Sequence, residues 1–293
     1  MWILYLVVLL VYFGIMIFIG VKTRASANSV QGFVLGGRSV GPWLSAFAYG
    51  TSYFSAVIFI GYAGQFGWNY GIAATWIGIG NAIIGSLLAW AVLGRRTRIL
   101  TRQLDSATMP DYFGKRFSDN RLKIAASVIV FVFLIPYTAS LYKGLGSLFT
   151  IAFDIPYFVC IIIMAVVTAV YVLIGGYMAT AWNDFIQGII MLVGIVAVVI
   201  AVLANAGGFT EAINSLSQIG VDGSSQQGAY TSFFGPDLYG LLMVIILTSL
   251  GTWGLPQMVQ KFYAIKSEGS IKKGMIISTL FALIVAGGCY FLG

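Results

Sequence analysis

Residues 95–123 read RRTRILTRQLDSATMPDYFGKRFSDNRLK, a connector with eight basic residues between apolar runs at 71–94 and 124–149. Each run is long enough, at about 20 residues, to cross a bilayer as a helix. The connector's charge therefore marks one side of a membrane. Reading outward adds apolar runs at 2–21, 42–66, 157–174, 184–204, 238–260 and 274–292, about eight spans in all. Fifteen of the sixteen Lys and Arg residues fall between spans 1 and 2, spans 3 and 4, or spans 7 and 8. Basic loops stay cytoplasmic, so the expected topology is a multi-pass protein of the cell membrane with its N-terminus outside. The net charge of +7 then reads as an orientation signal, and no nucleic-acid partner is expected.

Composition agrees. The 293 residues are 59% hydrophobic and 9% charged, where a soluble domain carries about 25% charged residues. Lipid is the expected partner of this surface. The first run, followed by Lys22 and Arg24, is too long for a signal-peptide core and reads as a retained span. With no His, and with both Cys residues inside apolar runs, no Zn site, disulfide framework or His base is available. No phosphate-binding Gly-rich loop occurs. The chain reads as a non-enzyme without a cofactor. The inner loop 95–123 reads as a solvated connector. So does the outer loop 205–237, with Glu211, Asp222 and Asp237, unless it serves as a lid.

Polar residues inside spans carry the chemistry, because they are costly in lipid unless they face protein or water. The second span holds Gly50-Thr-Ser-Tyr-Phe-Ser55. Either its hydroxyls bond back to their own helix, or the helix breaks and frees carbonyls able to coordinate Na+. The seventh holds Thr248, Ser249, Gly251, Thr252, Trp253, Gly254 and Pro256, which reads as a kink or a second broken helix. Asp184 opens the sixth span as its only acid, either a charge favoured by the helix N-terminus or a cation ligand. Lys143, the one basic residue outside the inner loops, either snorkels to the outer interface or is buried, facing a solute carboxylate or occupying a cation site.

Four blocks on the expected spans resemble the sodium:solute symporter family, most closely its sodium/proline and sodium/pantothenate branch. They are Phe33-Val-Leu-Gly-Gly-Arg38 with Gly41-Pro-Trp43, Gly50–Ser55, Gly175-Gly-Tyr-Met-Ala-Thr-Ala-Trp-Asn-Asp184 with Gln187, and Gly254-Leu-Pro-Gln-Met-Val-Gln-Lys-Phe262. The resemblance implies an all-α transporter fold of two inverted five-helix repeats within one transmembrane domain, 1–293. Residues 2–21 would be an extra N-terminal helix, 42–204 the first repeat and 238–293 the incomplete start of the second. An N-terminal portion of a longer transporter, or a shortened product, is expected.

The implied activity is inward symport of a small organic solute with Na+ as coupling ion. The implied Na+ ligands are the carbonyls of Thr51 and Phe54, with Asp184 in coupling. The implied solute residues are Ser52, Tyr53, Ser55, Tyr137, Lys143, Thr248, Thr252, Trp253 and Pro256. Tyr53 stands where the proline branch has an acid, and Thr248 and Thr252 stand where it has aromatic residues. Pantothenate, another amino acid or a short organic acid therefore join proline as expected solutes. Two other classes fit the same sequence: a sensor built on a transporter-like body, and a non-transporting fragment.

Overall fold

The computed structural model describes residues 2–55, 57–220 and 227–293. Among these the chain is nearly all helical, with one isolated parallel bridge, Val40 to Ile265, and no strand. Asp222 of the outer loop lies outside the described residues.

Helix α1 (Trp2–Thr23) ends where apolar sequence gives way to Lys22 and Arg24, and it packs along α9 (Tyr157–Asn205). The short α2 (Val30–Leu35) is capped by the Ser29 hydroxyl, which accepts from Gly32 N at 3.0 Å. Helix α3 (Pro42–Tyr53) starts on proline, whose missing N–H costs nothing in a first turn. A π-helical segment (Val57–Tyr62) and α4 (Ala63–Tyr70) follow it. The next run comprises a 3-10 turn, α5 (Thr75–Gly80), π-helical segments at Asn81–Leu88 and Trp90–Gly94, and α6 (Arg95–Gln103). Then come α7 (Met109–Phe117), α8 (Asn120–Phe153), α9, α10 (Phe209–Ser217), α11 (Leu238–Leu250), α12 (Pro256–Ala264) and α13 (Glu268–Leu292).

Among the described residues five helices are long and apolar enough to cross a membrane, or six when the bent pair α11 and α12 is taken as one. Two further breaks divide the expected spans differently. The expected span 42–66 is not one helix, since α3 stops at Tyr53 and Phe54 leaves helical geometry at φ −93°, ψ 61°. The expected spans 157–174 and 184–204 join as α9, whose backbone turns only at Gly176, φ 56°, ψ −147°. That conformation suits a residue without Cβ, and a Cβ there would also press on the Phe33 backbone. The loop expected at 175–183 is therefore helical apart from Gly176, and Asp184 sits about two turns past that glycine rather than at a helix start.

The solvated connector expected at 95–123 is also corrected. It folds into α6 and α7 and buries Arg98, Thr101 and Ser106. Its carbonyls have a use: Arg38 donates to Thr101 O at 3.1 Å, Ser106 O at 2.7 Å and Tyr263 O at 3.4 Å. One guanidinium thus ties the segment before α3 to α6 and to the end of α12.

Helix α13 runs through the centre, against α3, α5, α9 and the Asn81–Leu88 segment. The core joins Tyr49, Tyr53, Trp90, Phe262, Phe281 and Tyr290. Within it Phe47 meets the rings of Phe185 and Phe281 at a tilt.

Candidate site at the helix breaks

A helix end leaves its last carbonyls without intrahelical partners. At the end of α3, Phe54 N donates to Gly50 O at 2.9 Å, and Ile58 N and Phe59 N both donate to Ser55 O at 3.0 Å. Among the described residues none donates to the carbonyls of Thr51 or Phe54. The second break has a plain cause in proline. Leu255, at φ −70° and ψ 125°, is extended as a residue before proline prefers, and the axes of α11 and α12 differ by 53°.

The two breaks meet at Asn81, which is fully buried. Its amide oxygen as placed lies 3.2 Å from Tyr53 Oη, 2.9 Å from Thr248 Oγ1 and 3.0 Å from Ser249 Oγ, while Nδ2 meets nothing. Proton counting favours the turned amide. Tyr53 has one proton and Thr248 O at 2.8 Å to take it; Thr248 has one proton and Val244 O at 2.8 Å. With those protons used, both hydroxyl oxygens only accept, so the amide NH2 belongs on their side. Its carbonyl then faces the neighbouring Tyr290 Oη, which otherwise has no partner. Asn81 in this arrangement ties α3, α11 and α13 together. A Cβ at Gly85 would run into the Tyr53 ring, so glycine lets that ring lie flat on the π-helical segment. Tyr49 Oη donates to Gly85 O at 2.7 Å, and Trp253 Nε1 donates to Ile84 O at 3.0 Å.

Asp184 faces α12. Its Oδ2 lies 3.6 Å from Lys261 Nζ, and their side chains are 21% and 8% exposed. Lys261 was expected in a cytoplasmic loop and is instead buried. The helix starting at Pro256 continues past it to Ala264 and turns it toward α9. Lys261 Nζ also lies over the Tyr177 ring, 5.2 Å from its centre. The Thr51 hydroxyl, bonded to Phe47 O at 2.9 Å, is within interaction range of Asp184. The α3 break and this half-buried acid therefore share one region.

Of the residues expected for solute, Tyr53, Thr248 and Thr252 gather near Asn81, with Thr252 Oγ1 donating to Ser249 O at 3.0 Å. Ser52 and Ser55 are half-buried at the α3 break. Tyr137 and Pro256 both line an apolar groove of about 680 Å³ beside Leu255, Phe133 and Phe113. Lys143 is exposed on α8, with no hydrogen bond or ion pair among the described residues. No site role was expected of Asn81 or Lys261 from the sequence. The signal was available, since a lone amide or ammonium amid apolar helix needs a partner.

The sodium:solute symporter family model matches residues 33–293. The chain belongs to the sodium:solute symporter family. It is similar to sodium/proline symporter 2 of Staphylococcus saprophyticus, 31% identical over 95% of this chain and 55% of that protein. A sodium/proline symporter of Staphylococcus aureus is 32% identical over 91% of this chain and 51% of its own length. This chain thus spans about half the length of the curated relatives it matches. Its fold resembles a solved structure of the substrate-bound, outward-open state of a Na+-coupled sialic acid symporter. That likeness has TM-score 0.75 and 19% identity, and covers 98% of this chain and 60% of the other. As a member of a symporter family it is a multi-pass membrane protein and not an enzyme.

Proposed function

We propose that this chain provides the first half of a Na+-coupled symporter body that admits a small carboxylate-bearing solute, with proline the first to test. The carrying observation is the α3 break, where the Thr51 and Phe54 carbonyls take no hydrogen bond from the described residues and the Asp184 carboxylate lies close by. Oxygen ligands of this kind suit a hard monovalent cation at a broken helix. In this reading Thr51, Phe54 and Asp184 receive Na+. Tyr53, Ser52, Ser55, Thr248, Thr252 and Trp253 line the solute path, with Tyr137 and Pro256 along the groove.

The reading has eight crossings: α1, the broken α3–α4 run, the run from Gly71 to α6, α8, the two arms of α9, the bent α11–α12 and α13. The inner side holds Arg38, α6 and α7, which leaves the N-terminus outside. The names of the staphylococcal relatives support proline. Na+ bound at the break favours the state that completes the solute site, and it shifts the equilibrium only by its affinity difference between states.

The test is uptake of radiolabelled proline into proteoliposomes holding the protein. Uptake should follow an inward Na+ gradient, vanish in K+ buffer, and lose its Na+ dependence in Asp184→Asn. Uptake that ignores the Na+ gradient sinks the proposal.

A further inference from the structure

Lys261 has no place in the solute path or among the oxygen ligands, yet it is one of the few charged side chains buried among the described residues. An ammonium and a carboxylate that form a direct charge-assisted hydrogen bond sit about 2.7–2.9 Å apart. Here Nζ and Oδ2 are 3.6 Å apart, a looser pairing than that. The ammonium leans instead on the Tyr177 ring. Among the described residues Tyr177 Oη and both amide atoms of Gln257 are buried with no hydrogen-bond partner. Gln257 and Lys261 are four residues apart in α12 and share a face of that helix. Helix α3, carrying Thr51, packs against both α9 and α12. The region therefore holds more oxygen than one ammonium uses, and a positive group held loosely beside the acid.

We propose that the Lys261 ammonium is a tethered stand-in for the coupling cation: it neutralises Asp184 when Na+ is absent and must leave the carboxylate when Na+ arrives. A buried acid without a counter-charge is costly, so an empty carrier needs something at Asp184 to change conformation. A built-in cation meets that need with no second ion from solution. It also sets Na+ affinity, because Na+ competes with a group that is always present. Tyr177 gives the displaced ammonium a resting surface through its ring, and the Gln257 and Tyr177 oxygens are free to join the incoming ion. This inference rests on the reading that Asp184 receives Na+.

The experiment measures equilibrium binding of radiolabelled Na+ to the full 293-residue chain in lipid nanodiscs. The comparison is between the wild type, Asp184→Asn, Lys261→Met and Lys261→Arg, each checked for a thermal unfolding transition. Lys261→Met keeps the apolar stem and removes the competing charge, so Na+ should bind roughly tenfold more tightly or better. Lys261→Arg offers a two-pronged grip on the carboxylate, so Na+ should bind several-fold more weakly. Should Lys261→Met fail to fold, Lys261→Arg decides alone, and unchanged Na+ affinity there overturns the idea. Folded Lys261→Met with wild-type or weaker affinity overturns it too, while the Na+ reading of Asp184 stands. Wild type without saturable Na+ binding, or Asp184→Asn binding as tightly as wild type, removes the Na+ reading itself and this inference with it.

Discussion

Helices α8 and α13 have the same peak hydropathy, 2.2, yet none of that stretch of α8 is buried, against 39% of α13. The difference lies in side-chain size and spacing. In α13 the residues Ser270, Gly274, Ser278, Ala282, Ala286 and Tyr290 recur every four positions, and all six are buried. Five are small, so neighbouring backbones and rings come close, which is how helices associate where lipid is as apolar as protein. In α8 the only buried residue is Gly146, and Phe131 and Phe133 are each 69% exposed. Hydropathy thus reports that a segment leaves water; the four-residue rhythm of small side chains reports whether protein or lipid receives it.

The sharpest way to break this comparison is to fill the α13 stripe. A Cβ at Gly274 would meet the Trp90 ring, itself completely buried. Gly274→Leu should cost about 3 kcal/mol or more, enough to lower the thermal midpoint in detergent by many degrees or abolish folding. The matched change Ala139→Leu, on exposed α8 surface, should stay within about 0.5 kcal/mol. Equal shifts for the two would mean that the stripe does not govern packing.

A smaller effect should come from the polar side of the same core. Asn81→Leu removes the amide that ties Tyr53, Thr248 and Ser249 together, but Tyr53 and Thr248 keep their bonds to Thr248 O and Val244 O, so the cost should be about 1–3 kcal/mol in all. Ser127 on α8 also makes one hydrogen bond, 2.9 Å to Lys123 O, but it is exposed. Ser127→Ala should leave the midpoint almost unmoved. If Asn81→Leu is equally silent, the hub around Asn81 holds nothing together.

The contrast also explains what the sequence could tell. Long apolar runs gave helices and a membrane, because those depend on transfer from water alone. The breaks at Phe54 and Leu255 were legible through local chemistry, a Gly–hydroxyl cluster in one case and Pro256 in the other. The pairing of Asp184 with Lys261 was not, since it depends on how far α12 continues and which way it faces, and 77 positions separate the two. The turn at Gly176 was foreseen as a loop because a single left-handed glycine interrupts a helix without any polar stretch to mark it. Asn81 needed the neighbours that satisfy it, and these come from three other elements.

The N-terminal end of α8 is fastened by charge as well as by packing. Asp119 caps it, accepting from Arg121 N at 2.8 Å, and Asp111 of α7 pairs with Lys123 at 2.8 Å and with Lys115 at 3.0 Å. Burial alone would push the Asp111 carboxyl up, but hydrogen bonds from Lys123 and Lys115 outweigh it and hold the carboxyl below its ordinary value. A carboxyl depressed in the folded state adds stability at every pH above its unfolded value, and that stability fades as pH falls through the folded value. The two lysines are nearly half exposed, so water screens the pairs and Asp111→Asn should cost only about 0.5–1 kcal/mol at neutral pH. The midpoint difference between wild type and Asp111→Asn should therefore hold steady down to roughly pH 5 and close below about pH 4. A spin label at the N-terminal end of α8 should loosen in Asp111→Asn, while one on α13 should not change. A difference that persists unchanged into acid would mean that Asp111 acts through packing rather than charge, and α8 would then be held by more than this one latch.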